Sequence, residues 1–305
     1  MLKGKLSGSL LVFLGAVCWS LNAPLVKFVQ QDLDPFLVCG LRSLLAGIVL
    51  LPFLRPRKMI WNHWTLIYIA SFEALVTGVI LALDQTSSAI AVGMQYTAPV
   101  WLLLLAAVKK ERIYWNSIIP VILILAGVLF FMSTGFGSTG QGKGNLIALS
   151  EGLAFALMTL SAKHASGDCP LGLTCLACLF SGVFTFIFLP PSFSDLQELT
   201  AQNWMVMLLL GTVQMGAGYG FYNFGLQLVN PRKASVIALW EMILGPLWVA
   251  LFLKDYPTLP VLIGFFIILA GMFLENVLSM PNVYAACGTG IKMALKCRFH
   301  TKRGE

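Results

Sequence analysis

The chain is a succession of apolar stretches of about 20 residues, divided by short polar breaks. Wound as a helix at about 1.5 Å per residue, each stretch is long enough to cross about 30 Å of hydrocarbon. Ten such stretches occur, at 8–30, 34–54, 64–84, 86–107, 115–133, 143–163, 170–190, 203–226, 231–252 and 259–279. They predict an all-α integral membrane protein with ten transmembrane helices.

The pattern repeats. Gln95-Tyr-Thr-Ala-Pro-Val-Trp101, Lys109-Lys-Glu-Arg112 and Leu125-Ala-Gly127 have counterparts in Leu239-Trp-Glu-Met-Ile-Leu-Gly-Pro-Leu-Trp248, Leu253-Lys-Asp255 and Leu269-Ala-Gly271. Ala91 falls on Ala234, Glu111 on Asp255 and Gly127 on Gly271 with a slip of one residue. An internal repeat of this kind divides the chain into a first repeat at 1–133, a Gly/Ser-rich linker at 134–142, a second repeat at 143–279 and a basic tail at 280–305.

Composition agrees with burial in lipid. Hydrophobic residues make up 58% of the 305 and charged residues 11%, against roughly a quarter charged in a soluble domain. The net charge of +7 raises nucleic acid as a partner, but the basic residues fall in alternate connections, which is a topology signal. With the N-terminus in the cytoplasm, 16 of the 20 Lys and Arg lie on the cytoplasmic face. Both termini are then cytoplasmic. Five helices per half is an odd number, so the halves enter the membrane from opposite sides as inverted repeats. The N-terminal Met1-Leu-Lys-Gly-Lys5 resembles the start of a signal peptide, but Trp19, Asn22 and Lys27 interrupt the apolar run and no small-residue cleavage pattern follows. It reads as a retained first helix.

Several residues are expensive at membrane depth. Pro24 removes a backbone donor inside helix 1, which predicts a kink or hinge there. Arg42 lies about two turns into helix 2 and needs an acidic or carbonyl partner, unless it snorkels to the interface. Glu73 and Glu241 fall near the middle of helices 3 and 9, where an ionised carboxylate is costly. Each is either a ligand or proton site or a neutral, hydrogen-bonded structural acid. Glu151 lies in helix 6, while Glu275 lies near a cytoplasmic helix end. Helix 8 carries Gly211, Gly216, Gly218 and Gly220, which permit local unwinding or close packing. Trp19, Tyr96, Trp101, Tyr219, Tyr222 and Trp240 accompany Asn22, Gln95, Gln214 and Asn223, a mixture suited to a cavity with aromatic and polar walls. Each aromatic alone reads equally as packing.

The seven cysteines give no disulfide framework, and Cys175-Leu-Ala-Cys178 has no further Cys or His to complete a metal site. No cofactor is implied. The stretch Ser133 to Gly144 is glycine-rich but lacks the strand and the Gly-Lys-Ser/Thr ending of a phosphate loop. The tail places Ile291, Ala294, Leu295 and Phe299 on one helical face amid basic residues, so membrane lipid is an expected partner.

The order of these motifs resembles the drug/metabolite transporter superfamily, in particular EamA-type ten-helix bacterial exporters. The likeness covers about residues 5–279 and rests on Trp19-Ser-Leu-Asn22 and Lys27, Leu41-Arg42-Ser, Gln95-Tyr-Thr-Ala-Pro99, Lys110-Glu111-Arg112, the Leu-Ala-Gly pair and Glu241-Met-Ile-Leu-Gly-Pro246. The chain departs from the family in Met242, where proline usually follows the glutamate, and in Asp255 for a glutamate. The resemblance implies export or exchange of an amino acid or other small metabolite across the bacterial inner membrane, by alternating access through a central cavity. Trp19, Asn22, Glu73, Tyr96, Gln214, Tyr219, Tyr222, Trp240 and Glu241 are its candidate substrate-binding residues. Midplane carboxylates and aromatics suit an amine-bearing ligand through charge and cation–π attraction, with protons as a candidate coupling ion. Other classes fit less well. His63, His164 and His300 lie at or beyond helix ends, which leaves no zinc pair or membrane-depth nucleophile for an intramembrane enzyme. A non-transporting sensor or scaffold would have only the tail for output.

Overall fold

In a bilayer the backbone finds no water, so apolar blocks satisfy their own hydrogen bonds by coiling into helices. A computed structural model of the protein describes residues 2–29, 33–85, 94–110, 115–132, 142–165, 167, 169–191, 197, 199–253 and 259–279. Residues 134–141 of the expected linker, the basic tail, Glu111 and Asp255 lie outside the described residues, while Gly142, the last expected linker residue, is helical. All regular structure among the described residues is helical: α1 Leu2–Ser20, α2 Asn22–Val29, α3 Pro35–Leu50, α4 His63–Gln85, α5 Ala98–Val108, α6 Trp115–Met132, α7 Gly142–Ala165, α8 Pro170–Phe188, α9 Ala201–Leu209, α10 Gly218–Leu228, α11 Pro231–Ala238, α12 Trp240–Leu253 and α13 Leu259–Ser279. A π-helical segment, Leu210–Ala217, joins α9 to α10.

Six stretches among the described residues are long and apolar enough to cross a membrane: Ser7–Val26, Pro35–Phe53, Leu146–Ala165, Pro170–Phe188, Ala201–Leu228 and Pro231–Phe252. Shorter apolar helices occupy Ala98–Val108, Ile118–Phe130 and Leu262–Gly271. Large apolar side chains such as Leu66, Val108, Ile187, Leu251, Phe266 and Phe273 are exposed on the outer faces of these helices. Lipid is the solvent that makes such a surface stable. The chain is a multi-pass membrane protein.

Local sequence sets several helix starts. Asp34 caps α3 by accepting from the backbone N–H of Phe36 at 2.7 Å and of Leu37 at 3.3 Å, with Pro35 in the first turn, where a missing donor costs nothing. Asn230 and Pro231 start α11 in the same way, and Thr200 caps α9.

The halves pack mainly against each other. The extensive contacts are α4 with α7, α6 with α13, α3 with α8 and α1 with α10. Further contacts join α1 to α12 and α5 to α7, and join α3 to the π segment and α4 to α8. Small residues bring the axes together. A Cβ on Gly15 would lie 2.9 Å from the carbonyl of Gly218, and one on Gly225 would lie 2.8 Å from the carbonyl of Gly8. With no water between helices to expel, such close backbone approach is a main source of attraction.

Candidate functional site

Among the described residues, helices are interrupted at four places that border one cavity. The α1 ladder stops at Ser20, Leu21 bonds back to Cys18 with N···O 3.3 Å, and α2 begins at Asn22. Pro24, expected to kink this helix, lies just beyond that break. The segment ahead of α5 breaks at Tyr96–Thr97, where Thr97 N–H donates to Met94 O at 3.1 Å and Val100 N–H to Thr97 O at 2.9 Å. Between α11 and α12 the break falls at Leu239. There Leu239 N–H donates to Val236 O at 3.2 Å and Met242 N–H to Leu239 O at 3.0 Å. The two tight turns therefore have the same bonding pattern. The missing proline after Glu241 does not straighten this helix, because the break precedes the glutamate. The π segment is the fourth interruption, in the glycine-rich stretch.

These interruptions border a small cavity open at one side. Trp19 and Asn22 flank the first break, and Gln95 precedes the second. Gln214 and Met215 come from the π segment, with Tyr219 just after it, and Glu241 lies in the first turn of α12. The turn at Leu239 sets Glu241 at a helix start on the cavity wall. Leu75, Val76 and Val79 of α4, Phe155 of α7 and Arg42 of α3 complete the wall.

Of the nine candidate residues, Trp19, Asn22, Gln214, Tyr219 and Glu241 reach the cavity. The other four stand behind it. Tyr222 packs against Trp19 with ring centroids 4.8 Å apart, and its hydroxyl lies 2.7 Å from Thr159 Oγ1. Asn223, its neighbour, donates to Tyr68 Oη at 2.7 Å and Thr174 Oγ1 at 2.8 Å. Protein partners thus satisfy the Tyr222 hydroxyl and the Asn223 amide N–H donors, while Asn223 Oδ1 has no partner. Trp240 meets Phe13 edge-on at 5.5 Å, and Tyr96 is buried in a cluster with Met242 and Ile243. Glu73 is buried, accepts a short hydrogen bond from Thr77 Oγ1, and leaves Oε2 without a partner. Its place on α4 falls just before Leu75 and Val76, the residues that face the cavity.

Arg42 is buried at 6% exposure rather than snorkelling. Its partner is a carbonyl, as the chemistry required: Nη1 donates to Asn22 Oδ1 at 2.8 Å. Trp19 also packs against Tyr219 at 4.7 Å and Phe155 at 5.9 Å, so one wall of the cavity is aromatic. Gln95 was among the polar residues expected at a cavity and lies on this wall, whereas nothing in the spacing of Arg42 assigned it there. Phe155 and Met215 carried no signal at all. Cys175 donates to Gly47 O at 3.2 Å and Cys178 is buried, both as packed thiols. No group of three metal-ligating side chains occurs among the described residues.

The sequence pattern of the EamA-like transporter family matches residues 6–133 and 142–277. Among similar proteins, an uncharacterized transporter of Bacillus subtilis (strain 168), YvbV, is 27% identical over 306 residues, covering 93% of this chain and 96% of the relative. An uncharacterized transporter of Archaeoglobus fulgidus is 26% identical over 274 residues, covering 88% of this chain and 95% of the relative. A solved protein crystal structure has the same fold at a TM-score of 0.74 and 18% identity, over 90% of this chain and 98% of that one.

Proposed function

From the premise that the chain belongs to the EamA-like transporter family, we propose that it exports or exchanges an amino acid or related amine-bearing metabolite across the bacterial inner membrane. The solute occupies the cavity at the four helix interruptions, and the two halves rock about it by alternating access. The arrangement is two inverted repeats of five membrane helices, with both termini in the cytoplasm. The packing supports this reading. Exchanging the halves turns the α4–α7 contact into that of α10 with α1, and the contact of α1 with α12 into that of α7 with α5, while α3–α8 and α6–α13 map onto themselves.

The observation that carries the proposal is Glu241, held at a helix start and facing a cavity walled by Trp19, Tyr219 and Phe155. A carboxylate beside aromatic faces is a receptor for an ammonium group, which gains charge attraction and cation–π contact together. Helix interruptions supply what a solute needs at depth, since their backbone need not be fully satisfied within the helix. Protons are the coupling ion if a buried carboxyl such as Glu73 takes part in the cycle.

A thermal-shift screen of the detergent-purified protein against amine-bearing and amine-free metabolites tests the proposal. Stabilisation by amine-bearing compounds, weakened in Glu241→Gln, is expected. Stabilisation confined to amine-free compounds would overturn the substrate class.

A further inference from the structure

We propose that Arg42 anchors a carboxylate of the transported molecule, so that the site selects a zwitterion over a plain amine. The inference rests on the cavity being the solute site. It adds a second binding residue of opposite charge to Glu241.

A guanidinium keeps its proton throughout the accessible pH range and carries five donors in a planar fork. Arg42 is 94% buried on the α3 wall of the cavity, where an uncompensated cation is costly. Its bond to Asn22 Oδ1 fixes one arm of the fork but supplies no charge, because the partner is a neutral amide. Nε has no hydrogen-bond partner, and no carboxylate among the described residues forms an ion pair with the group. A buried cation with an oriented but unfilled fork matches an anion that comes and goes.

The same wall holds other unpaired polar atoms. Trp19 Nε1 is a donor without a partner and Gln214 Oε1 an acceptor without one. Arg42 and Glu241 on the wall of one cavity match a molecule that bears both a carboxylate and an ammonium. A single negative charge balances Arg42. A dianion such as a phosphate monoester would leave one charge uncompensated beside the carboxylate of Glu241. Asn22 sits where α1 gives way to α2, so its bond also joins the anion site to a helix interruption.

Binding of a panel of α-amino acids, and of the amines made by decarboxylating each, to the purified full chain tests the proposal. The wild type should bind the best amino acid on the order of 10- to 100-fold more tightly than its matched amine, as expected for a charge-assisted contact to a buried guanidinium. Arg42→Gln should abolish that preference by weakening binding of the amino acid, while the amine, relieved of a like charge in the cavity, binds more tightly than to the wild type. Asn22→Asp gives Arg42 a permanent internal carboxylate and relieves its burial cost, so it should fold and also lose the preference. Three outcomes would overturn the proposal: equal wild-type affinity for amino acid and amine, equal weakening of both by Arg42→Gln, or an undiminished preference in Asn22→Asp. Amine binding without a carboxylate preference leaves the transporter reading intact and removes this one. Failure of the wild type to bind either class counts against both.

Discussion

Gly127 and Gly271 occupy reciprocal positions in the contact between α6 and α13. A Cβ on Gly127 would lie 2.7 Å from Ile268 Cγ1 and 2.9 Å from Ile268 N, while one on Gly271 would lie 2.7 Å from Ile124 Cγ1 and 3.1 Å from Ile124 N. The carbonyl of Gly264 faces the first glycine at 3.1 Å, and that of Pro120 faces the second at 3.2 Å. In the contact between α3 and α8, Gly47 meets Leu179 and Gly182 meets Leu44 in the same crossed manner. The proposed two-fold relation between halves would produce such exchanges at each helix pair that it maps onto itself.

Alanine at either glycine should therefore force α6 and α13 apart by the same amount. Gly127→Ala and Gly271→Ala are each expected to cost about 1–3 kcal/mol, the usual range for overpacking a close contact. Thermal unfolding in detergent measures it. A large loss in one variant and none in the other would argue against the reciprocal geometry.

Tyr219 forms part of the cavity wall, whereas Trp240 packs on Phe13 behind it. Tyr219→Ala should weaken solute affinity by about 1 kcal/mol through the lost aromatic contact. Trp240→Ala should lower stability with little change in affinity. The reverse ranking, measured at matched folded protein, would move Trp240 into the site.

Glu73 lies behind the cavity wall with one carboxyl oxygen bonded to Thr77 and the other free of partners. A group so placed can carry a proton through the cycle without touching the solute. Glu73→Gln keeps the shape and the Thr77 bond but cannot titrate, so affinity should stay near that of the wild type while the pH dependence of transport disappears. Loss of affinity at every pH would instead make Glu73 a direct counter-charge. An unchanged pH profile would leave it a packing residue.

In the proposed orientation, drawn from the distribution of Lys and Arg, residue 57 lies inside the cell and residue 140 outside. A periplasm-dependent reporter fused after Gly140 should be active, and one fused after Arg57 silent. The opposite pattern would contradict the orientation and with it the inverted arrangement.

The helices were legible because burial in lipid demands long apolar runs, whereas the paired Leu-Ala-Gly sequences marked a repeat without revealing that their glycines meet the partner helix between α6 and α13. The interruptions were only half legible. Pro24 and the glycines around Gly216 signalled two of them, but the turn at Leu239 has neither proline nor glycine and arises from the local bonding of Leu239 to Val236. The cavity wall was harder still. Tyr219 and Tyr222 lie three residues apart on one helix, and only the packing of Trp19, Thr159 and Phe72 decides which of them meets the cavity. Likewise, Arg42 advertised a need for a partner, yet Asn22, 20 residues earlier, could be named only once α1 and α3 were side by side.

Exchange across a membrane tests most directly that this cavity is the transport site. Proteoliposomes holding the purified chain, preloaded with an unlabelled amino acid that stabilises it, would be given the labelled form outside. Rapid accumulation of label by the wild type is expected, with a loss of about tenfold or more in Glu241→Gln, the cost of removing a charge-assisted contact. Undiminished exchange by Glu241→Gln, or none by correctly inserted wild type, would contradict it.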